Sequence, residues 1–223
     1  MTSNIWQIYY NDTTRRNCVR GWNHYNNAGK LTEYFENSVI VDLYGLGECK
    51  KADYFGVLSH SFTSKHFNRN KRNERITPIN LDNELEQSRA DVYGFHGRRK
   101  TKNVMTQAEN FHRGGFKEIT TEILDACGYR YPVRTDFVCL FNHWVARGEV
   151  YEHYIENLLI PAINQMREMK DRLFVDQKYK TRITPDMKKA GLDFYPLHPF
   201  ILERLPSVYV QQHIRDLNFK QIF

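Results

Sequence analysis

Apolar residues along the chain fall into short runs whose spacing alternates between the two-residue period of a strand and the three-and-four spacing of a helix. The opening run over residues 4–10, NIWQIYY, is aromatic and β-branched and ends at the turn-forming NDTT, which predicts a first strand with polar residues at its carboxyl end. Residues 31–44, LTEYFENSVIVDLY, read as a short helix leading into a strand, because SVIVDL has the continuous apolar character of the buried type. Further strands are expected at DYFGVLS (53–59), ADVYGF (90–95) and DFVCLFN (136–142). Before the fourth, the polar, basic stretch from Ser61 to about Ser88 predicts a loop and then a helical turn opening at Asp82.

Helical spacing dominates the second half. Residues 103–112, NVMTQAENFH, predict a helix broken by Gly114 and Gly115. Residues 116–128 predict a second, with Phe116, Ile119, Ile123, Leu124 and Cys127 on its inner face and Gly128 as its stop. From Glu149 to about Arg172, Tyr151, Tyr154, Ile155, Leu158, Leu159, Ala162, Ile163, Met166 and Met169 recur at helical spacing, and Pro161 predicts a kink. A polar connection over residues 176–193 precedes a closing helix over 198–213, its interior beginning after Pro206. Strands alternating with helices over 223 residues predict a single α/β domain with a central, mostly parallel sheet flanked by helices.

Composition adds a compartment and a class of partner. The 41% hydrophobic content suffices for a core, and the 14 Tyr, 14 Phe and 3 Trp serve either as core or as stacking platforms for rings. The net charge of +6 favours polyanionic partners. Its excess lies between Ser61 and Lys102, where Lys65, Arg69, Lys71, Arg72, Arg75, Arg89, Arg98, Arg99, Lys100 and Lys102 face only five acidic residues. Four cysteines without a C-x-x-C pair suggest a reducing compartment. No apolar run reaches the roughly 18–20 residues of a membrane span, and the start lacks a secretory signal's pattern, so a cytoplasmic location is expected.

In an open α/β sheet, ligands bind beyond the carboxyl ends of the strands. That rule selects Tyr9, Tyr10, Thr13 and Arg16 after the first strand, and Ser59, His60 and Lys65 after the third. It also selects Asp91, His96, Arg98 and Arg99 on or beyond the fourth, and Asn142 and His143 after the fifth. A nucleotide needs a slot for its base, which Tyr9 or Tyr10 can line, and cations for its phosphates, which Lys65, Arg98 or Arg99 can supply. Glu109 and His112 are three apart on one helix face, the arrangement of either a general base with its partner or a surface ion pair, while Gln107 points elsewhere. Asp91, with Asp42 and Asp53 also expected on strands, is a candidate for a divalent cation, and His198 is either a second ligand or a core histidine. The P-loop, dinucleotide-binding and H-E-x-x-H patterns are absent.

Four stretches, DYFGVLSHSFTSK, NVMTQAENFHRGGF, VCLFNHWVARGEVYEHYIENLLIPAI and PFILERLPSVYV, give the chain a resemblance to nucleotide-sugar glycosyltransferases of the GT-A type, particularly small capsule-type and phage-encoded relatives. The resemblance covers about half of the chain. It implies a GT-A-like sheet, with a donor part over about residues 1–100 and an acceptor part over 101–223. It also implies a UDP- or GDP-sugar as co-substrate. By position it puts Glu109 and His112 on an acceptor-facing helix, Asn142 at a turn after the fifth strand, and Glu203 and Arg204 on the closing helix. The missing D-x-D departs from the pattern, so Mn²⁺ or Mg²⁺ is not carried over with it. The phage-encoded likeness suggests a hydroxymethylated base in duplex DNA as acceptor; an envelope glycan or lipid-linked sugar, or a non-catalytic nucleic-acid-binding module, are the alternatives.

Overall fold

A computed structural model describes residues 1–62, 78–95, 103–112, 115–176 and 183–222. Its centre is a six-stranded sheet of order β2-β1-β3-β5-β4-β6. The strands are β1 (Ser3–Tyr9), β2 (Asn23–Asn26), β3 (Tyr54–Ser59), β4 (Val92–Phe95), β5 (Trp144–Arg147) and β6 (Phe219–Ile222). β1 pairs in parallel with both β2 and β3, and β4 in parallel with β6, whereas β5 is antiparallel to β3 and β4. The sheet is therefore mixed, and β5 runs against its neighbours.

β3 is buried from end to end because both faces are covered. Alternate side chains go to different cores. Tyr54 and Leu58 join Ile5, Tyr93, Phe95 and Val145 on the face covered by α3 (Pro78–Ser88), through Leu81 and Leu85. Phe55 and Val57 join Ile8, Val92, Trp144 and Ala146 in the larger core, which α2 (Glu36–Gly45) and the helices of the second half close.

Those helices are α4 (Val104–Phe111), α5 (Phe116–Ala126), α6 (Gly148–Tyr154), α7 (Ile160–Glu168), α8 (Lys170–Leu173), α9 (Pro185–Lys189), α10 (His198–Leu202) and α11 (Leu205–Gln212); a short α1 (Asp12–Arg15) follows β1. α4 and α5 match the expected helices, and α5 is followed by Gly128 at φ 76°. α6 begins where the chain touches residues 48–52: a Cβ on Gly148 would lie 2.3 Å from the Cys49 carbonyl oxygen, so only glycine fits. Between α6 and α7, Ile155–Leu159 forms a π-helical turn in which Ile160 N–H donates to the Ile155 carbonyl. The wider turn lies immediately before Pro161, whose ring crowds the carbonyl four residues back. Among the described residues, no helix is long and apolar enough to cross a membrane.

Five expectations are corrected. SVIVDL is not a strand but the body of α2, with Val39, Ile40 and Leu43 buried on one side and Asp42 accepting from the Tyr25 hydroxyl at 2.8 Å. Asp53 likewise lies ahead of β3, where it accepts from the Thr2 backbone N–H at 2.8 Å. In DFVCLFN, residues 137–140 are buried but pair with no described strand: Asp136, Val138 and Cys139 N–H groups donate to the side chains of Gln211, Gln221 and Ser207. The closing helix is two helices, α10 and α11, and α3 begins four residues before Asp82.

Candidate active site

β1 and β3 are neighbours, yet the connection from β1 leads to β2 on one side and the return leads to β3 on the other. Their carboxyl ends thus form a topological switch point, where an open sheet leaves room for a ligand. Tyr9 ends β1, and Asn11 caps α1 by accepting from Thr14 N–H at 2.9 Å while Thr14 Oγ1 accepts from Asn11 N–H. Thr13 and Arg16 are exposed beside it, and the Arg15 guanidinium lies 5.6 Å from the centre of the Tyr9 ring. The Tyr10 ring meets the His60 ring edge-on at 5.8 Å, across the switch point. Burial, and after it the Glu36 carboxylate, push the Tyr10 phenol well above its ordinary value, so it stays a neutral hydrogen-bonding group.

The antiparallel course of β5 brings its first residues to this same edge. Ser59 Oγ lies 2.8 Å from His143 Nε2 and 2.9 Å from Ser61 Oγ. Just before His143, Phe141 and Asn142 hold left-handed backbone, at φ 62° and 53°. Such conformations cost on the order of 1–3 kcal/mol each and concentrate at functional turns. Phe141 is 40% exposed, whereas Asn142 is 3% exposed and its Oδ1 has no hydrogen-bond partner among the described residues. Asn142 and His143 were expected after a strand; they precede one, and reach the carboxyl edge of β3 because β5 is reversed.

Gln107, His112, Glu203 and Arg204 form a second cluster, built around a guanidinium that is 2% exposed. Arg204 Nε donates to the Val104 carbonyl at 3.2 Å, and Nη1 to the Phe200 carbonyl and to Glu203 Oε1. Nη2 donates to Gln107 Oε1 at 2.7 Å and meets His112 Nε2 at 3.4 Å. Five N–H groups thus find five acceptors, and none is left for an acceptor substrate. Because guanidinium only donates, His112 Nε2 is the accepting nitrogen and Nδ1 carries the proton; that Nδ1 is buried without a partner. Burial, and then Arg204, lower the His112 pKa to about 3, and the ring stacks on Phe200 at 4.1 Å.

Glu109 does not pair with His112. It is exposed and accepts from the Tyr131 hydroxyl at 2.5 Å, a partner the spacing of the helix could not reveal. Burial and then Glu109 raise the Tyr131 phenol far above its usual range. A neutral His112 with its basic nitrogen occupied by Arg204 is not placed to act as a general base.

One further expectation is corrected by position, and one of two alternatives is met. Asp91 lies at the amino end of β4, away from the carboxyl edge, where its carboxylate pairs with Arg147 at 2.8 Å and accepts from Asn218 N–H at 2.8 Å. His198 sits between the rings of Tyr34 and Phe174, at 5.5 and 4.9 Å, and burial followed by Lys170 lowers its pKa to about 4. Among the described residues no group of three or more His, Cys, Asp or Glu side chains is placed to hold an ion. Lys65, His96, Arg98 and Arg99 lie outside the described residues.

The resemblance places Asn142 at a turn; the left-handed backbone at both Phe141 and Asn142 was not anticipated, and its one sequence signal is that asparagine, a residue tolerant of such backbone. No protein-family model matches the chain, and neither a curated protein nor a solved structure does.

Proposed function

We propose that this chain is a glycosyltransferase of GT-A-like architecture that moves a sugar from a nucleotide-sugar donor to an acceptor hydroxyl. The observation that carries the reading is the polar edge at the β1/β3 switch point, where Tyr10 and His60 face each other beside the Ser59–His143 pair and the strained Phe141–Asn142 turn. The nucleoside lies against Tyr9 and Tyr10, with Arg16 and the sequence-adjacent Lys65, Arg98 and Arg99 as ligands of the diphosphate. Those cations stabilise the negative charge that grows as the anomeric carbon–oxygen bond breaks. Glu109 takes the proton of the acceptor hydroxyl as its oxygen forms the new bond to that carbon. The acceptor we favour is a hydroxymethylated base in duplex DNA, on the strength of the +6 charge and the basic stretch between Ser61 and Lys102.

Two expected results test this. A nucleotide that binds the folded chain at about 100 times its Kd stabilises it by about 2.7 kcal/mol, a rise in melting temperature of roughly 5–10 °C. One of UDP, GDP and their sugar conjugates should do so, and a flat panel overturns the reading in favour of a nucleic-acid-binding module. Glu109→Gln should lower turnover about 10²–10⁴-fold with donor affinity unchanged. Mass spectrometry of hydroxymethylcytosine DNA after incubation with the donor reads both the turnover and the acceptor.

A further inference from the structure

Two histidines and two tyrosines meet where α6 passes the end of α11. His153 lies on α6 and is exposed; His213 caps the carboxyl end of α11 and is half-buried. Their rings meet edge-on, with centres 5.5 Å apart. Each ring is also held by a phenol. Tyr209 Oη donates to the Val150 carbonyl at 3.4 Å, so its one hydrogen is committed and it accepts from His153 Nδ1–H at 2.9 Å. The lone pair of His153 is therefore on Nε2. Tyr129 Oη lies 3.4 Å from His213 Nε2 and can accept from it, which leaves the His213 lone pair on Nδ1; the Tyr209 ring packs against the same imidazole at 4.7 Å. Among the described residues, neither His153 Nε2 nor His213 Nδ1 has a hydrogen-bond partner.

A ligating histidine characteristically donates its other N–H to an oxygen, which fixes the tautomer and the orientation of the ring. The separation fits as well: with metal–nitrogen bonds of about 2.0–2.1 Å and a tetrahedral angle, two imidazole centres lie about 5 Å apart. The electrostatics favour a cation, because α11 turns its carbonyl end here and the Asp216 carboxylate acts on His213. Burial, and then His153, hold His213 below its ordinary pKa, so at pH 7 the imidazole is neutral and its lone pair is available. We propose that His153 and His213 bind a borderline divalent transition-metal ion such as Zn²⁺, with water completing its coordination, and that the ion clamps α6 to the end of α11. The site is a pair and not a triad, open to solvent at His153, so the ion exchanges with solution. It shares no residue with the β1/β3 edge and stands whether or not the chain transfers a sugar.

Calorimetric titration of the chelator-treated chain with Zn²⁺, Ni²⁺ and Mg²⁺ at pH 7.5 tests this. Zn²⁺ and Ni²⁺ are expected to bind, and Mg²⁺, which prefers oxygen ligands, is not. His153→Gln and His213→Gln should each weaken the tightest Zn²⁺ site at least about tenfold, while His24→Gln, at an exposed histidine on β2, should leave it unchanged. Zn²⁺ at about 100 times its Kd should raise the melting temperature of the parent by roughly 5–10 °C, and that of His153→Gln by far less. Because a proton competes for each lone pair, the affinity should fall from pH 7.5 to pH 5.5. His153 is exposed, so its glutamine variant keeps the fold and carries the test even where His213→Gln does not. No binding of Zn²⁺ or Ni²⁺ to the parent overturns the proposal. So does Zn²⁺ binding to His153→Gln as tight as to the parent, or an equal loss in His24→Gln.

Discussion

Replacing Arg204 by Leu is expected to lower the unfolding free energy by about 3–5 kcal/mol, the usual loss when one partner of a buried ionic network is removed. The argument lies in the accounting of its donors. Val104, Phe200, Glu203, Gln107 and His112 each supply one acceptor to the guanidinium, and they come from α4, the residue that ends it, α10 and the residue just after α10. Leucine fills part of the volume but leaves the Glu203 carboxylate, already mostly buried, beside carbonyls with no donor between them. Arg204→Lys keeps the charge and fails too, because an ammonium has three N–H groups and no planar fork to reach α4 and α10 together. Urea unfolding reads both variants: the midpoint should fall with little change in slope, in the order parent, Lys, Leu. A lysine variant as stable as the parent would show that charge alone matters and that the five-acceptor geometry does not.

Arg204 also marks the boundary of what the chain's pattern could reveal. The resemblance put Glu203 and Arg204 on the closing helix, in the acceptor part of the chain, but a sequence motif does not say whether a charged side chain points outward or is consumed inside. Gln107 and His112, 97 and 92 positions away, consume it. The same blindness to distant partners explains DFVCLFN. Phe137, Val138, Cys139 and Leu140 are indeed buried, but the backbone is satisfied by Gln211, Gln221 and Ser207 rather than by a neighbouring strand. α2 was misread for a local reason: a run of β-branched residues over two turns has no visible period, and burial of Val39, Ile40 and Leu43 decides for the helix only once the sheet is in place. β2 and β6 are polar or partly exposed edge strands and carry no apolar alternation to detect.

What was legible is the run of elements whose faces differ sharply. β1 and β3 end where their apolar runs end, α5 stops at Gly128, and the long helical stretch from α6 through α8 follows its spacing. β1 and β3 lie side by side, so the polar residues that follow them share one edge of the sheet. The carboxyl-end rule applied to Asp91 failed because that residue precedes β4, and its pairing with Arg147 of β5 depends on a strand that runs the other way.

Below pH 6.5 the chain should lose stability steeply, well before its carboxylates respond. His112 and His198 have folded pKa values lowered to about 3 and about 4, in each case first by burial and then by a cation, Arg204 or Lys170. Once unfolded, both take up a proton near pH 6.5, so between that pH and their folded values the unfolded chain binds protons that the folded chain refuses. Stability is then full above about pH 6.5 and falls with acidification by about 1.4 kcal/mol per pH unit for each histidine. Asp53 and Glu48 are shifted down in the folded chain, so their contribution is lost only below the ordinary carboxylate range of about 4, a separate and lower window. His198→Leu isolates the effect, since the ring sits between Tyr34 and Phe174 and its buried Nδ1 has no partner to lose. The variant should match or exceed the parent at pH 7.5 and lose stability more slowly than the parent between pH 6.5 and 4.5, as read by urea midpoints across that range. In Arg204→Leu the cation beside His112 is gone while its burial remains, so the second histidine should begin to titrate at a higher pH in a construction that is already weaker. An unchanged slope in His198→Leu would mean that some other group, and not the two histidines held neutral in the core, sets the acid limit of the fold.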